Sequence, residues 1–395
     1  MCPTAKRSAK TARTPASGQA STPPPAPPAP GLRDVTAVQS AISLIEHDHL
    51  YYRGIPIDEL ADHGTFEEVV HLLWYARLPT REELIELKEQ IATSSQLPPG
   101  LVELMKAFPR RTTPMEVLRT AVSSLAMYDA ESEDMSPVAN NRKAVRLLGQ
   151  VASVVAAYDR IRNDRQPIPP RGDLSLAANF LYMLRGIMPD PLAVRALDKA
   201  YILHADHELN ASTFTARVTA STLSDLHSCI TAAIGALKGP LHGGANAQVM
   251  KMLNEIGRTE AVEPYIHRKI ACAERIPGFG HAVYRTGDPR SRHLREISRQ
   301  LGSLTAQEQW YDMSVQIEDL VTASTGLHPN VDFYSASIYH YLSIPTDLFT
   351  PIFVIARTAG WVAHIFEQYA HNVLLRPRAQ YIGLRGQHWT LIDRR

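Results

Sequence analysis

Helical periodicity dominates the chain from residue 34 onward and restricts the possible fold more than any other feature. In the segment 63–79 apolar residues recur three and four positions apart, and Glu68 follows Thr65 at the spacing of a capping box. Similar signals, separated by Gly, Pro, Asp or Asn, predict helices near residues 80–94, 114–128, 138–162, 174–186, 191–205, 212–236, 245–256, 290–302, 305–325, 333–343 and 350–370. Alternating strand patterns are almost absent, and 41–54 is the best candidate for a short hairpin. The sequence therefore predicts an all-α, mostly helical fold.

Composition limits the partners that the chain can have. With 395 residues, of which 45% are hydrophobic, it can bury a large core. Its formal net charge is only +1, which gives no general attraction for nucleic acid or for an anionic membrane. No run approaches eighteen uninterrupted apolar residues, and the three cysteines lack the Cys-x-x-Cys spacing of a thiolate metal site. We therefore expect a cytoplasmic protein with no nucleic-acid or membrane partner and no metal.

The first thirty-one residues differ from the rest of the chain. They contain no Leu, Ile, Val, Phe or acidic residue, and they include the run "STPPPAPPAP". Such a segment cannot bury enough surface to offset the entropy of ordering, so we predict that 1–31 is a disordered Pro/Ala-rich tail. A transit peptide is the alternative, but it requires large apolar residues on one helix face, and these are missing.

His242 lies in the glycine-rich stretch "GPLHGGAN". Gly243 and Gly244 leave room for a ligand, and a helix that begins near Asn246 directs free N–H groups toward the same place. A neutral imidazole there can donate a hydrogen bond to a developing oxyanion. The alternative is an ordinary loop histidine close to a helix start.

A second histidine, His281, lies in "RIPGFGHAVYRTGDPRS". It follows the loop Pro277, Gly278, Phe279 and Gly280, and it precedes Arg285 and Arg290. A backbone-lined loop, two cations and one imidazole indicate an anion site that contains a proton donor. The Gly-x-Gly of this loop lacks the spacing and the preceding strand of a dinucleotide-binding motif.

Two further segments carry single charged residues next to apolar ones. Asp332 stands between Val331 and Phe333 at the start of a predicted helix, where partial burial would raise its pKa toward that of a useful base; a helix-capping aspartate is the alternative. Arg357 is the only charged residue between Pro351 and His364, so it needs an anionic partner, either a ligand or a structural salt bridge.

The stretch "HADHELNAS" brings His204, Asp206, His207 and Glu208 together. It does not have the His-Glu-x-x-His spacing of a zinc site, and hydrogen-bonding core histidines are the simpler interpretation. Near the C-terminus, "LLRPRAQYIG" places Arg376 and Arg378 around Pro377, which by itself is consistent with a solvated basic loop.

Taken together, these segments are similar to those of one known family. The blocks "HADHELNAS", "GPLHGGAN", "PGFGHAVYRTGDPR", "NVDFYSA", "FVIARTAGWVAHIFEQ" and "RPRAQYIG" occur in the order found in citrate synthases, and the chain resembles this family from about residue 31 to its C-terminus. The resemblance implies a homodimer with a shared active site, in which a large helical domain and a smaller mobile helical domain close over the substrates. With the compositional breaks near residues 222 and 335, we expect the large domain at 32–222 and 336–395 and the small domain at 223–335.

The resemblance also implies an activity and a role for each site residue. It implies an acyltransferase of the tricarboxylic acid cycle that condenses acetyl-CoA, as a substrate and not a cofactor, with oxaloacetate and water to give citrate and CoA. The catalytic residues would be His242, His281 and Asp332. Oxaloacetate would be bound by His207, Arg290, Arg357 and Arg376, the last from the neighbouring subunit. Coenzyme A would face Arg285 and the loop Pro277, Gly278, Phe279 and Gly280.

Three alternatives stay open at the level of sequence. A 2-methylcitrate synthase uses the same catalytic groups with propionyl-CoA, and one methylene changes specificity by only about 1–3 kcal/mol. A metal-dependent hydrolase could be built on the same histidines and aspartate. A CoA-sensing scaffold without catalysis is the third, although it would have no need of Asp332.

Overall fold

The structure is a computed structural model, and it describes residues 35–395. The predicted disordered tail at 1–31 lies outside these residues. Two compact units are distinguished among the described residues: Ser40–Leu375 is one, and residues 35–39 with Arg376–Arg395 belong to the other. Each is described by itself, and every α-helix of the described residues lies in Ser40–Leu375.

The first unit begins with a small antiparallel sheet. β1 (Ser43–Glu46) pairs with β2 (His49–Tyr52), and β2 pairs with β3 (Ile55–Pro56). Glu46 is opposite His49, so the β1–β2 turn contains only two residues. The hairpin predicted at 41–54 is therefore confirmed.

Sixteen α-helices make up most of the part that the structure describes, which confirms the all-α prediction. They are α1 (Ile57–His63), α2 (Phe66–Tyr75), α3 (Arg81–Ser94), α4 (Pro99–Ala107), α5 (Pro114–Leu125), α6 (Pro137–Arg162), α7 (Leu176–Arg185), α8 (Pro191–His204), α9 (Ala211–Ser221), α10 (Leu226–Leu237), α11 (Ala245–Ile256), α12 (Val262–Ala271), α13 (Pro289–Thr305), α14 (Gln309–Thr325), α15 (Val331–Tyr341) and α16 (Phe349–Ala370). Three of these, α1, α4 and α12, are not among the helices predicted from the sequence.

The prediction of one helix at 212–236 is wrong, because the structure has two helices there, α9 and α10. Leu223 has a left-handed φ of 62°, which ends the first helix. Asp225 then caps the second helix, because its carboxylate accepts a hydrogen bond from the Ser228 N–H at 2.9 Å.

Helix α16 forms the centre of the core. It packs against α2, α6, α8, α9 and α10, and Trp361 on it is fully buried. By length and composition, Thr346–Ala370 is the one candidate membrane span found in residues 35–395, but 94% of its apolar window is buried inside the protein. A helix that is apolar around most of its circumference is suited to such a core position.

Helices α11 to α15 form a second group that packs together. α15 contacts α11, α13 and α14, and α12 contacts α14. α13 and α15 also pack against α8, so the loops that precede α13 and α15 come close to the end of α8. The division into domains at residues 222 and 335 stays a prediction.

Candidate active site

The loop at 277–280 pairs with the segment just before α15. The Gly280 N–H donates to the His328 carbonyl at 3.0 Å, and the Asn330 N–H donates to the Gly278 carbonyl at 2.9 Å. Gly278 has a φ of 82°, and a Cβ there would lie 2.8 Å from side-chain atoms of Phe333. Only glycine fits this approach, which places His281 beside the start of α15.

His281 is held by its own loop. Its Nδ1 accepts hydrogen bonds from the N–H groups of Val283 at 3.0 Å and Tyr284 at 3.2 Å. A nitrogen that accepts two hydrogen bonds carries no proton, so the proton of the neutral ring is on Nε2. Burial, together with the nearby Arg290, lowers the pKa of His281 to about 4. His281 is therefore a neutral hydrogen-bond donor at physiological pH.

His207 follows α8 and contacts His281 directly. The two ring centroids are 5.0 Å apart, and His207 Nε2 shares a hydrogen bond of 3.0 Å with the Tyr284 hydroxyl. Burial and the positive charge of Arg290 keep the pKa of His207 well below its usual range. The structure thus brings together two of the predicted histidines, both in the neutral form.

His242 lies between α10 and α11 and faces the start of α9. Its Nε2 accepts a hydrogen bond from the Ser212 N–H at 3.2 Å and lies 2.8 Å from the Ser212 Oγ. Trp361 Nε1 donates to that Oγ at 3.2 Å, which anchors the pair to α16. Burial, with a contribution from Arg357, lowers the pKa of His242 to about 4. The ring is therefore neutral, with its proton on Nδ1.

Asp332 is the second residue of α15 and is not the cap of that helix. The cap is Asn330, whose side chain accepts a hydrogen bond from the Asp332 N–H at 3.0 Å. Within residues 35–395 the Asp332 carboxylate accepts no hydrogen bond. Burial raises the pKa of Asp332 to about 6, against the opposing effect of Arg290. This carboxylate is a suitable base near neutral pH.

Arg290 is buried and already paired. Its Nε and Nη2 donate to the two carboxylate oxygens of Asp288 at 2.9 and 2.8 Å. Asp288 Oδ2 also accepts a hydrogen bond from the Val331 N–H at 3.0 Å. The ion pair therefore links the start of α13 to the start of α15, next to Asp332.

Arg357 on α16 is equally buried, with 2% of its surface exposed, but it has no such partner. Its Nε donates to the His204 carbonyl at 2.7 Å, and its guanidinium lies 4.7 Å from the centroid of the Phe353 ring. In the described part of the chain, no carboxylate forms a salt bridge with it and neither Nη atom makes a hydrogen bond. Burial lowers the pKa of Arg357 to about 10. Two buried Nη groups that make no hydrogen bond are suited to bind a carboxylate ligand.

Two other polar residues of "HADHELNAS", His204 and Asp206, are engaged in the core. His204 Nδ1 donates to the Ala200 carbonyl at 2.7 Å. Asp206 forms an ion pair with His364 at 3.3 Å and accepts a hydrogen bond from Ser43. Among residues 35–395 no group of three His, Cys, Asp or Glu side chains is placed to hold a metal ion.

The two remaining arginines of the predicted site are exposed. The main-chain N–H of Arg285 donates to Asp48 in the β1–β2 turn at 2.9 Å. The side chain of Arg285 is exposed to solvent. Arg376 belongs to the unit of Arg376–Arg395, so its contribution to a neighbouring subunit stays a prediction.

Three residues that support the site are not predicted from the sequence. They are Ser212, Tyr284 and Asp288, which contact His242, His207 and Arg290 in turn. Asp288 has a usable signal, because Asp before Pro289 is typical of a helix start. The other two contacts depend on segments far apart in the sequence, and no local pattern indicates them.

The electrostatics connect these groups into one site. The charge of Arg290 affects the pKa values of His207, His281 and Asp332, and the charge of Arg357 affects that of His242. Two histidines that donate hydrogen bonds, one carboxylate base and two buried guanidinium groups therefore form one cluster. This combination of fold and site defines a helical enzyme that carries out acid–base chemistry on an anionic substrate.

Comparisons with known proteins agree with this class and specify it. A family model described as "Citrate synthase, C-terminal domain" matches residues 31–378. The chain is 54% identical over 366 residues to "Citrate synthase 2" of Bacillus subtilis, covering 92% of this chain and 98% of that protein. It is 42% identical over 361 residues to "Citrate/2-methylcitrate synthase" of the same organism, covering 91% of this chain and 97% of that protein.

A solved structure extends the similarity to three dimensions. The citrate synthase of Thermoplasma acidophilum, solved as a ternary complex with carboxymethyl coenzyme A and oxaloacetate, has a TM-score of 0.87 and 30% identity, covering 92% of this chain and 98% of that chain. The chain belongs to the citrate synthase family. It is an enzyme of the citrate synthase type, as the resemblance implied.

Proposed function

We propose that this enzyme condenses acetyl-CoA with oxaloacetate and water to give citrate and CoA. The observation that supports this most strongly is the cluster around His281, where two neutral histidines and the carboxylate of Asp332 lie near two buried arginines. A binding protein would have no need of a carboxylate with a pKa of about 6 at the start of α15.

The first step is removal of a proton from the thioester methyl group. Asp332 takes the proton, and the electrons move onto the thioester oxygen to give an enol or enolate. This oxygen needs a hydrogen-bond donor as its charge develops. The Nδ1–H of His242 supplies that bond, because the Ser212 N–H occupies the other nitrogen of the ring. A neutral donor is suitable, since it stabilises the enolate without making it unreactive.

The second step forms the carbon–carbon bond. The enol carbon attacks the ketone carbon of oxaloacetate, and the ketone oxygen becomes negative and receives a hydrogen bond or proton from Nε2 of His281. Arg290, Arg357 and His207 hold the two carboxylates of oxaloacetate, which fixes the face of the ketone that is attacked. The free Nη groups of Arg357 provide the clearest place for one of these carboxylates.

The product of condensation is a citryl-CoA thioester, which water then cleaves to citrate and CoA. Arg285 and the loop at 277–280 face the coenzyme A part of the substrate. A smaller domain at 223–335 that closes over the larger one would exclude water until condensation is complete. The residue that completes the site is Arg376 of a neighbouring subunit in a homodimer.

The proposed activity is tested with the purified enzyme. Citrate and free thiol should form together from acetyl-CoA and oxaloacetate, and activity should survive exhaustive treatment with a chelator. Release of free thiol without citrate, lost after chelation and restored by a divalent metal, would instead favour a metal-dependent hydrolase.

The alternative is 2-methylcitrate synthesis from propionyl-CoA. One of the relatives is named for both activities, so the two substrates have to be compared directly. The comparison is kcat/KM for acetyl-CoA and for propionyl-CoA with oxaloacetate. We expect the acetyl substrate to be preferred by about tenfold, the range that one methylene can produce. Equal or better turnover of propionyl-CoA would contradict the assignment to citrate.

A further inference from the structure

The turn between β1 and β2 contains two residues in the left-handed conformation. His47 and Asp48 form a two-residue loop, and both have left-handed φ angles, 49° and 62°. Hairpin turns of this kind favour Gly, Asn and Asp, because most other side chains crowd the backbone when φ is positive. Asp48 therefore suits the turn, but the turn alone does not require a carboxylate there, and the contacts of that carboxylate decide its role.

The Asp48 carboxylate binds the loop between His281 and Arg290. Asp48 Oδ1 accepts a hydrogen bond from the Arg285 N–H at 2.9 Å, and Oδ2 accepts one from the Thr286 N–H at 2.8 Å. The Thr286 hydroxyl also donates to Oδ2. All three donors are in a segment that has no helix or strand of its own and lies more than two hundred residues away in sequence.

The same loop holds His281 at its other end. Four successive N–H groups, those of residues 283–286, are all used: the first two donate to Nδ1 of His281 and the last two donate to Asp48. A rotation of the peptide units at 284–286 would break bonds at both ends. Neighbouring peptide units of one short loop thus make both the contacts with His281 and the contacts with Asp48.

The hairpin itself is firmly anchored close to His207. The Tyr52 hydroxyl donates to the Asp206 carbonyl at 2.9 Å, and it accepts a hydrogen bond from the Asp206 N–H at 3.1 Å. The side chain of Ser43 donates to the Asp206 carboxylate. One end of the hairpin is thus tied to the segment of His207, and the turn at its other end is tied to the loop of His281.

From these contacts we propose that Asp48 is a positioning residue for His281. It holds the main chain of residues 283–286 so that two N–H groups donate to Nδ1 and the ring presents Nε2–H to the substrate. The effect of Asp48 on catalysis rests on the proposed function, in which His281 donates to the ketone oxygen. Its effect on the position of the ring proton of His281 does not rest on that function.

Asp48→Gly is the most informative variant. It removes the carboxylate with its three hydrogen bonds, and it relieves the left-handed backbone strain. These two effects on stability oppose each other, so the melting temperature should change little. We expect kcat to fall about tenfold, as part of the contribution of a general acid is lost. The KM for oxaloacetate should change less than about threefold, because the arginines are untouched. Asp48→Asn keeps the shape of the side chain but has only one acceptor oxygen. Its kcat should therefore lie between that of the wild type and that of Asp48→Gly.

Asp190→Ala serves as the matched control. Asp190 caps α8 by accepting a hydrogen bond from the Leu192 N–H at 2.8 Å, far in sequence from the loop of His281. This variant should lower the melting temperature and leave kcat unchanged. Asp48→Gly would then lower kcat without a matching loss of stability, and Asp190→Ala would lose stability without a lower kcat. A purely structural role of Asp48 does not predict this difference.

The ring of His281 gives a readout that does not depend on turnover. In ¹⁵N NMR spectra, with the His281 signals assigned from a His281→Gln variant, the wild type should show one neutral form with the proton on Nε2. Asp48→Gly should show an exchanging mixture of the two neutral forms. Unchanged His281 signals in Asp48→Gly would overturn the proposal, whatever the kcat of that variant. A kcat of Asp48→Gly equal to that of the wild type would overturn it as well. Failure of the wild type to make citrate would refute the proposed function alone.

Discussion

At the scale of single residues, a charge without hydrogen-bond partners is costly to move even partly out of water, and the half-buried Asp332 is such a charge. Its carboxylate accepts no hydrogen bond in residues 35–395, and its pKa is raised to about 6 by burial. The N-terminal position on α15 and the nearby Arg290 oppose this shift without cancelling it. The stability cost and the basicity of this group therefore have the same physical origin.

The raised pKa predicts the acid side of the pH–rate profile. The base must be ionised to take a proton, so kcat/KM should fall as the pH drops through about 6. His242 and His281, with pKa values of about 4, stay neutral over this range and add no second step. The profile is measured under saturating oxaloacetate between about pH 4.5 and 8, values chosen to bracket the shifted pKa. A flat profile down to about pH 5 would contradict the assignment of the base.

Asp332→Asn should separate stability from catalysis. The folded-state pKa is above the unfolded value of 3.8, so the protonated group stabilises the fold at low pH and this stability is lost as the pH rises from about 4 through about 6. The uncharged variant avoids this cost and should be more stable by about 1–3 kcal/mol at about pH 8, with little gain at about pH 4. Citrate formation should stop while oxaloacetate binding, measured by calorimetry, persists. Asp319→Asn, an exposed control on α14, should change neither stability nor activity.

The two buried arginines should respond in opposite ways to removal of their charge. Arg357→Met deletes a guanidinium that has no carboxylate partner in the described structure, so the melting temperature should stay the same or rise. Arg290→Met leaves Asp288 buried without its partner, which should cost about 3–5 kcal/mol. Both variants should bind oxaloacetate at least about tenfold more weakly, as measured by calorimetry. A large loss of stability in Arg357→Met would mean that this arginine has a structural partner.

The residue types of the site can be predicted from the sequence, but their hydrogen-bonding roles cannot. Glycine-rich loops around His242 and His281 indicate histidines near a ligand, and the geometry agrees. Which nitrogen carries the proton depends on Ser212 and on the amides of the loop after His281, and these contacts exist only in three dimensions. The sequence also allows Asp332 to be a cap, a role that the structure gives to Asn330.

At the scale of secondary structure, predicted helix starts and helix ends agree about equally well with the observed bounds, although their signals in the sequence differ. Starts have local chemistry: Thr65, Thr80 and Thr113 each form a capping box with a glutamate three residues later. Ends without glycine or proline lack such a signal, as the break near Leu223 illustrates. The short helices α1 and α4 escape prediction because they contain too few turns to show a period. Helix α12 is as long as α2, but Pro264 in its first turn obscures where it begins.

Ala76 provides a test at this scale. It follows the last residue of α2 with a φ of 60°, and its N–H donates to the Leu72 carbonyl at 2.9 Å. Glycine adopts this conformation without strain, so Ala76→Gly should raise the free energy of unfolding by about 0.5–1 kcal/mol. Ala76 is exposed, so no packing is lost, and chemical denaturation measures the change.

The matched control for Ala76 is the same substitution inside a helix. Ala232 lies in the interior of α10 and is half-buried. Glycine there loses more conformational entropy on folding than alanine, so Ala232→Gly should lower the free energy of unfolding by about 1 kcal/mol. Destabilisation by both substitutions would mean that the left-handed backbone at Ala76 carries no strain that glycine relieves.

At the scale of the whole molecule, the sequence cannot show which segments meet. The residues of the cluster come from positions 207 to 357, and they converge because α8, α13, α15 and α16 pack together. Periodicity predicts that each helix has a buried face without naming its partner. The resemblance to a known family supplies that information, and domain closure and subunit pairing still rest on it.

Subunit pairing can be tested by complementation. If Arg376 reaches the active site of its neighbour, a dimer of Arg376→Ala and Asp332→Asn chains has one site with both defects and one site with neither. Mixing the two inactive variants, with exchange of subunits, should therefore restore up to about a quarter of the wild-type activity, given random pairing. No recovery in mixed dimers whose formation has been verified would place Arg376 in the site of its own chain.

The central position of α16 has a consequence for how the protein is made. The helices that surround it, α2, α6, α8, α9 and α10, all leave the ribosome before it does. Until residues 349–370 have been synthesised, these helices expose to solvent or to chaperones the apolar faces that later enclose Trp361. Consolidation of this core is therefore a late event in biosynthesis, and a nascent chain halted shortly before α16 should remain sensitive to proteases along most of its length.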